Sequence, residues 1–431
     1  MIRILLVILT GIVTSLFLFP FNLTFAANIN TKMVLAAFGL LLFFLDMARK
    51  RSFIIAKDFF ILSLLCIFIS LWSFLVITLN NTEDTVFTLY FISVWVWLGG
   101  AYAVVWLIRA VHGYLSVDLI GRYLIGVCVA QCILAYLMTV SPSLKSFVDG
   151  LMGVSENYMG TAEGRLYGLG AALDPTGLRF SSILVILAYL ASKKDFSTNK
   201  ASTLLNIISF IIIATIGNMI ARSTTIGIII SIAYWVILLV TGTKTSMSSG
   251  FWTTVSLCMI ISVGIIIFLY RADYSFRNNL RFGFEGFFSI AEKGHWETNS
   301  TNILKKMIVW PQSLRTWIIG DGYFSNTLDI PDMFGRARPG YYMQTDIGYL
   351  RYIYYFGTIG LLCMVGVFIY IAAACFRVLK NDRILFLLLL LVNLAGWLKV
   401  SSDIIMVFAP FLILAFMTEN EELENEEAPS D

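Results

Sequence analysis

Residues 202–242 read STLLNIISFIIIATIGNMIARSTTIGIIISIAYWVILLVTG, and Arg222 is the single charged residue in the stretch. Two apolar runs, 202–218 and 225–242, flank the turn Gly217-Asn218-Met219-Ile220-Ala221-Arg222-Ser223-Thr224-Thr225. A helix rises about 1.5 Å per residue, so each run crosses most of a hydrocarbon layer of roughly 30 Å. A helix also satisfies its own backbone polar groups where no water is available. The stretch therefore predicts a helical hairpin in a bilayer with an arginine at its tip.

The rest of the chain repeats this pattern. Of 431 residues, 58% are hydrophobic and 13% charged, about half the charge expected of a soluble domain. Apolar windows fall at about 4–20, 33–48, 58–79, 88–109, 118–140, 177–192, 202–218, 225–242, 251–270, 350–376, 384–399 and 402–417. These predict an all-α polytopic membrane protein of about twelve transmembrane helices. The first window follows Arg3 and precedes Thr24-Phe25-Ala26-Ala27, as in a cleavable signal, but is read as a retained helix.

Short loops orient the chain. Arg49-Lys50-Arg51 with Lys57, Lys193-Lys194 with Lys200, and Arg377, Lys380 and Arg383 share one side, which the positive-inside rule makes cytoplasmic. An even number of spans then places both termini in the cytoplasm. The expected organisation is nine spans over 1–270 with an external loop at 141–176, a long external loop over 271–349, three spans over 350–417, and an acidic cytoplasmic tail over 418–431. In the long loop, Ile303, Leu304, Met307, Ile308, Leu314, Trp317 and Ile318 recur at helical spacing, Lys305 and Lys306 take the opposite face, and Pro311 interrupts the run. That pattern suits a short broken helix on the outer membrane surface, roofing a cavity, or packed within the loop.

Several classes of chemistry are disfavoured. The six cysteines all lie in apolar runs, His112 and His295 are far apart, and there is no P-loop, dinucleotide fingerprint or Asp-x-Asp motif. No metal, cofactor or nucleic-acid partner is expected.

What calls for explanation is the outer side. Its 16 Lys/Arg exceed the 14 inside, together the chain's 30. Arg165, Arg179, Arg222, Arg271, Arg277, Arg281, Arg315, Arg336, Arg338 and Arg351 lie at or near span ends or in external loops. A guanidinium is a permanent charge whose planar fork of donors fits phosphate oxygens. A charge at the membrane edge costs about 1–3 kcal/mol unless it snorkels or finds a partner, so Arg222 is an interfacial anchor or an anion ligand. Its Ser-Thr-Thr neighbours favour the anion ligand. Arg165 and Arg179 bracket Gly168, Gly170, Asp174-Pro175 and Gly177, and Arg165 is the preferred contact of the two. Asp174 pairs with Arg179, caps the next helix, or serves the site.

The loop ends in Gly320-Asp321-Gly322-Tyr323-Phe324, Arg336-Ala337-Arg338-Pro339-Gly340-Tyr341-Tyr342 and Gln344-Thr345-Asp346-Ile347-Gly348-Tyr349-Leu350-Arg351. Flat rings with acid and amide groups suit sugars. Asp346, partly desolvated at the membrane face, suits a general base, or else an ion pair with Arg351. His295 is a second candidate base, or a solvated loop histidine.

With these residues in place, the chain resembles Wzy-type O-antigen polymerases, in the GT-C-like superfamily shared with O-antigen ligases. The resemblance covers the span pattern and the stretches Arg165 to Gly177, Gly217 to Thr225, and Trp296 to Gly360. It implies transfer of a growing glycan from undecaprenyl pyrophosphate onto a lipid-linked repeat unit at the periplasmic face of a bacterial inner membrane, independent of metal and ATP. Implied partners are the lipid-linked donor and acceptor, membrane lipids and a chain-length regulator protein. Catalytic roles then fall to Asp346, Arg222 and Arg165. Substrate-binding roles fall to Arg179, Arg277, Arg281, Arg338, Tyr349, Arg351 and His295. Ligases of the superfamily usually carry a histidine where this chain has Gln344-Thr345-Asp346, which favours polymerase over ligase. A flippase would show charges inside its spans, and here these are nearly absent.

Overall fold

The computed structural model describes residues 2–24, 29–50, 55–152, 165–193, 200–241, 249–326 and 340–427. Arg336 and Arg338, Lys194, Arg51, most of the Thr24–Ala27 segment, 153–164 of the first external loop and the last tail residues lie outside these. The protein is an all-α polytopic membrane protein. Seven helices are long and apolar enough to cross a membrane: Thr31–Arg49, Lys57–Asn80, Tyr90–His112, Val117–Val140, Leu173–Ser192, Ala201–Ile220 and Gly348–Val378. Shorter apolar helices cover Ile2–Leu18, Thr224–Val240, Ser256–Ala272 and Ile405–Asn420. Outward-facing apolar side chains such as Leu71 (63% exposed), Ile260 (70%) and Phe268 (69%) run along these helices. Lipid, unlike water, accommodates such a surface at no hydrophobic cost.

The chain forms two compact units, one of Met1–Phe38 with Ala103–Trp296, the other of Gly39–Tyr102 with Glu297–Asp431. In chain order the helices are α1 (Ile2–Leu18), α2 (Thr31–Lys50), α3 (Lys57–Asn80), α4 (Tyr90–His112), α5 (Val117–Val140), α6 (Pro142–Leu151), α7 (Leu173–Ser192), α8 (Lys200–Ile220), α9 (Thr224–Val240), α10 (Ser249–Ala272), α11 (Tyr274–Gly283) and α12 (Glu285–Lys293). They continue with α13 (Asn299–Lys306), α14 (Leu314–Ile318), α15 (Gly348–Val378), α16 (Arg383–Gly396) and α17 (Ile405–Glu427). The break between α13 and α14 contains Pro311, which has no amide proton to continue a helix. A two-residue antiparallel pairing, Ser325–Asn326 with Gly340–Tyr341, is the only sheet among the described residues.

In the first unit α7 is the central helix, packed against α5, α8 and α9. From Thr176 to Leu190 every residue is buried. Small residues make this possible. A Cβ on Gly227 of α9 would lie 2.3 Å from the Ser181 Cα of α7. Ser181 Oγ donates to Ser223 O at 2.7 Å and accepts from Gly227 N at 3.0 Å, so one hydroxyl pins the α8–α9 turn to α7. The predicted hairpin tip is thereby held on the N-terminal end of α7.

In the second unit α15 packs against α3, α14, α16 and α17. It is broken at Phe356 and Gly357, where Gly357 takes φ 68° and ψ −174°. A break leaves carbonyls without helical partners, which a membrane-embedded segment must satisfy elsewhere. Here Tyr354 O accepts from Asp321 N (2.6 Å), Tyr355 O from Gly322 N (3.1 Å) and Phe356 O from Trp72 Nε1 (2.9 Å). Gly357 permits this approach, since a Cβ there would lie 2.0 Å from Ile318 O. The Gly320-Asp321-Gly322 motif is thus a backbone patch for the break in α15.

Candidate active site

Arg222 sits in the three-residue turn between α8 and α9. The base under it comes from α11, whose last residue, Gly283, lies so close to the α8 end that a Cβ would meet the Asn218 backbone at 3.0 Å. That approach brings Phe282 beneath the turn. The Arg222 guanidinium carbon lies 4.1 Å from the Phe282 ring centroid, and that of Arg165 lies 4.9 Å from the same centroid. Two of the predicted arginines, remote in sequence, therefore share one aromatic ring. Each such contact contributes about 0.5–1 kcal/mol where exposed and more where desolvated.

One carboxylate pairs directly with Arg222. Glu285, in the first turn of α12, meets Arg222 Nη1 at 2.5 Å. Asp174 is close through the turn, accepting from Ser223 Oγ at 3.0 Å with its carboxylate and 3.1 Å with its carbonyl. It also lies in the first turn of α7, where a negative charge suits the helix dipole. Burial pushes the Arg222 pKa down, Glu285 and Asp174 oppose that shift, and the neighbouring Arg165 charge adds to it. Arg222 Nε is buried without a hydrogen-bond partner. Leu173, beside Asp174, holds φ 61°, a left-handed conformation that costs a bulky residue of order 1 kcal/mol or more.

The remaining arginines of this unit are placed differently. Arg179 is buried on α7 with its guanidinium carbon 5.5 Å from the Phe19 ring centroid. Arg277 stacks on Tyr270 and donates to Tyr270 O (2.9 Å) and Arg271 O (3.4 Å), the frayed carbonyls at the end of α10. Arg281 is exposed, bound to both carboxylate oxygens of Glu292 (2.7 and 2.9 Å) and to the Tyr270 hydroxyl (3.2 Å). These hydrogen bonds push its pKa up, the Tyr270 contact foremost. His295 is exposed after the α12 C-cap at Gly294, its Nδ1 3.1 Å from Lys293 O.

The second unit holds a second arginine site. Arg351, in the first turns of α15, is 6% exposed. Its guanidinium carbon lies 3.5 Å from the Phe324 centroid and 4.3 Å from that of Tyr341. It donates to Ser401 Oγ (2.5 Å) and Phe324 O (2.9 Å), and lies 3.9 Å from the Asp346 carboxylate. Asp346 itself remains 20% exposed. Just before it, Met343 and Gln344 hold consecutive positive φ values of 52° and 55°. Strain of this kind on two non-glycine residues persists only where the surroundings impose it. Nearby, Tyr342 stacks on Tyr323 and donates to Asp321 at 3.3 Å, and burial followed by the Asp321 charge pushes its pKa up. Tyr349 packs on Trp397 and commits its hydroxyl proton to Leu394 O at 2.9 Å.

Sequence reasoning missed Phe282 and Glu285 on one side, and Phe324 and Ser401 on the other. A clue lay in the run Arg281-Phe282-Gly283-Phe284-Glu285, where an aromatic, a glycine and an acid follow directly on one of the predicted arginines. A scan against protein-family models, a search of curated proteins and a search of solved structures find no match to this chain.

Proposed function

We propose that this protein is a polysaccharide polymerase of the outer leaflet, moving a glycan from a polyprenyl-pyrophosphate carrier onto a hydroxyl of a lipid-linked repeat unit. In this reading the chain crosses a bacterial inner membrane twelve times with both termini in the cytoplasm. The observation that carries it is the pair Arg165 and Arg222 on Phe282. Like charges are brought together at a hairpin tip between apolar helices, and among the described residues the Glu285 ion pair reaches only Arg222, which leaves the Arg165 charge for an anion.

The chemistry follows from the residues. As the glycosyl bond breaks, negative charge develops on the departing pyrophosphate, and guanidiniums already in place stabilise it without reorganising solvent. The activated linkage supplies the driving force. Asp346 is the candidate base for the acceptor hydroxyl, on the strength of its own surroundings: a carboxylate, partly exposed, held beside a fixed cation and preceded by strained backbone. Arg351 is too enclosed to reach a substrate and is assigned to holding that end of α15.

The test is a deletion strain examined by gel for its surface polysaccharide and complemented with Arg222→Ala. A polymerase deletion leaves single repeat units on lipid A-core, and the Ala variant inserts but restores no long chains. A ligase deletion leaves lipid A-core bare. Normal ladders with Arg222→Ala remove the phosphate-site reading, and full rescue by Arg222→Lys reduces Arg222 to a charge anchor, because lysine lacks the bidentate fork.

A further inference from the structure

The Arg165–Arg222 site already contains an anion of its own. Glu285 pairs with Arg222, while among the described residues no ion pair reaches Arg165, which touches the same Phe282 ring. The Glu285 side chain stands at the start of a nine-residue helix and is 33% exposed, with the Oε2 that faces Arg222 buried and the rest of the side chain reaching solvent.

We propose that Glu285 is a specificity-determining residue, an internal counter-anion that admits multiply charged pyrophosphate to the arginine pair and excludes singly charged phosphodiesters. This inference rests on reading Arg222 as a phosphate ligand. The physical case is an exchange of charges. A membrane phosphodiester carries one negative charge, so displacing Glu285 replaces one monoanion on Arg222 by another and gains little. A pyrophosphate carries more charge over two phosphoryl groups. It can take Arg222 from Glu285 and engage Arg165 as well, which no carboxylate among the described residues does. Specificity built by penalising the wrong ligand is needed most where that ligand is abundant, and a bilayer surface is crowded with phosphodiester headgroups. Without Glu285, two guanidiniums at the membrane edge would be occupied by ordinary lipid.

The experiment titrates inorganic pyrophosphate onto the full chain by calorimetry, in nanodiscs of zwitterionic lipid alone and in nanodiscs that also contain phosphatidylglycerol. In the natural protein, phosphatidylglycerol is expected to weaken pyrophosphate binding by no more than about twofold, and in Glu285→Gln by about tenfold or more, as the headgroup takes the vacated site. Glu285→Asp, which keeps the charge, should behave like the natural protein and guards against a folding defect in the Gln variant. Arg222→Ala should abolish binding throughout. If binding depends on Arg222 but phosphatidylglycerol competes equally in the natural protein and Glu285→Gln, the selectivity role is overturned and the phosphate site stands. If pyrophosphate fails to bind, or binds equally to Arg222→Ala, the phosphate-site reading itself is overturned.

Discussion

Arg222 and Arg351 are both arginines at the end of an apolar helix, yet their surroundings differ in kind. Arg222 rests on one ring, pairs with one carboxylate, keeps a buried Nε without a partner and has a second arginine beside it. Arg351 is enclosed by two rings, bonded to a hydroxyl and a backbone carbonyl, and almost wholly removed from solvent. In the function proposed above, the first arrangement leaves cationic capacity for a ligand. The second spends that capacity on the protein itself, tying the loop residue Phe324 and Ser401 to the start of α15. An arginine near a span end is therefore a weak functional signal until its partners are known.

The largest effect that sharpens this contrast is Arg351→Ala. It removes a buried cation from two rings, together with its hydrogen bonds to Phe324 O and Ser401 Oγ. A loss of about 3–5 kcal/mol is expected from the two ring contacts and two charge-assisted hydrogen bonds, seen as a lower unfolding midpoint in detergent and poor insertion. A variant with unchanged stability would place Arg351 in the same class as Arg222. Next is Asp346→Asn, which preserves shape and should leave folding and pyrophosphate binding intact while glycan transfer falls about 100-fold or more. Undiminished transfer would leave Asp346 as an ion-pair partner of Arg351 alone. The smallest is Phe282→Leu, which keeps an apolar floor but removes the ring quadrupole from both Arg165 and Arg222. A loss of roughly 1–2 kcal/mol in pyrophosphate affinity is expected by calorimetry, with little change in the unfolding midpoint. An equal loss of stability would make Phe282 a packing residue and nothing more.

Hydropathy alone located the helices well. Each apolar window falls on a helix of the structure, and the tip at Arg222 is the turn between α8 and α9. Not every window became a helix that spans by length and apolarity. Windows 4–20, 225–242, 251–270, 384–399 and 402–417 correspond to shorter apolar or less uniform helices. The site was legible in part. Arg165 and Arg222 were singled out, and the fold joins them, whereas Arg277 and Arg281 are engaged by carbonyls or by Glu292, and Tyr349 is turned into the helix packing. Gly320-Asp321-Gly322 read as part of a sugar surface, but its amides close the break in α15.

Run length, polarity and turn chemistry are properties of neighbours along the chain, so the sequence by itself determined a polytopic helical membrane protein with an arginine at a hairpin tip. Which groups surround that arginine is decided by helices that meet only on folding. The close approach of Gly283 to Asn218, the shared Phe282, the Glu285 counter-anion and the enclosure of Arg351 depend on packing between segments remote in sequence. Tertiary structure alone distinguishes an arginine available to a ligand from one consumed by the fold.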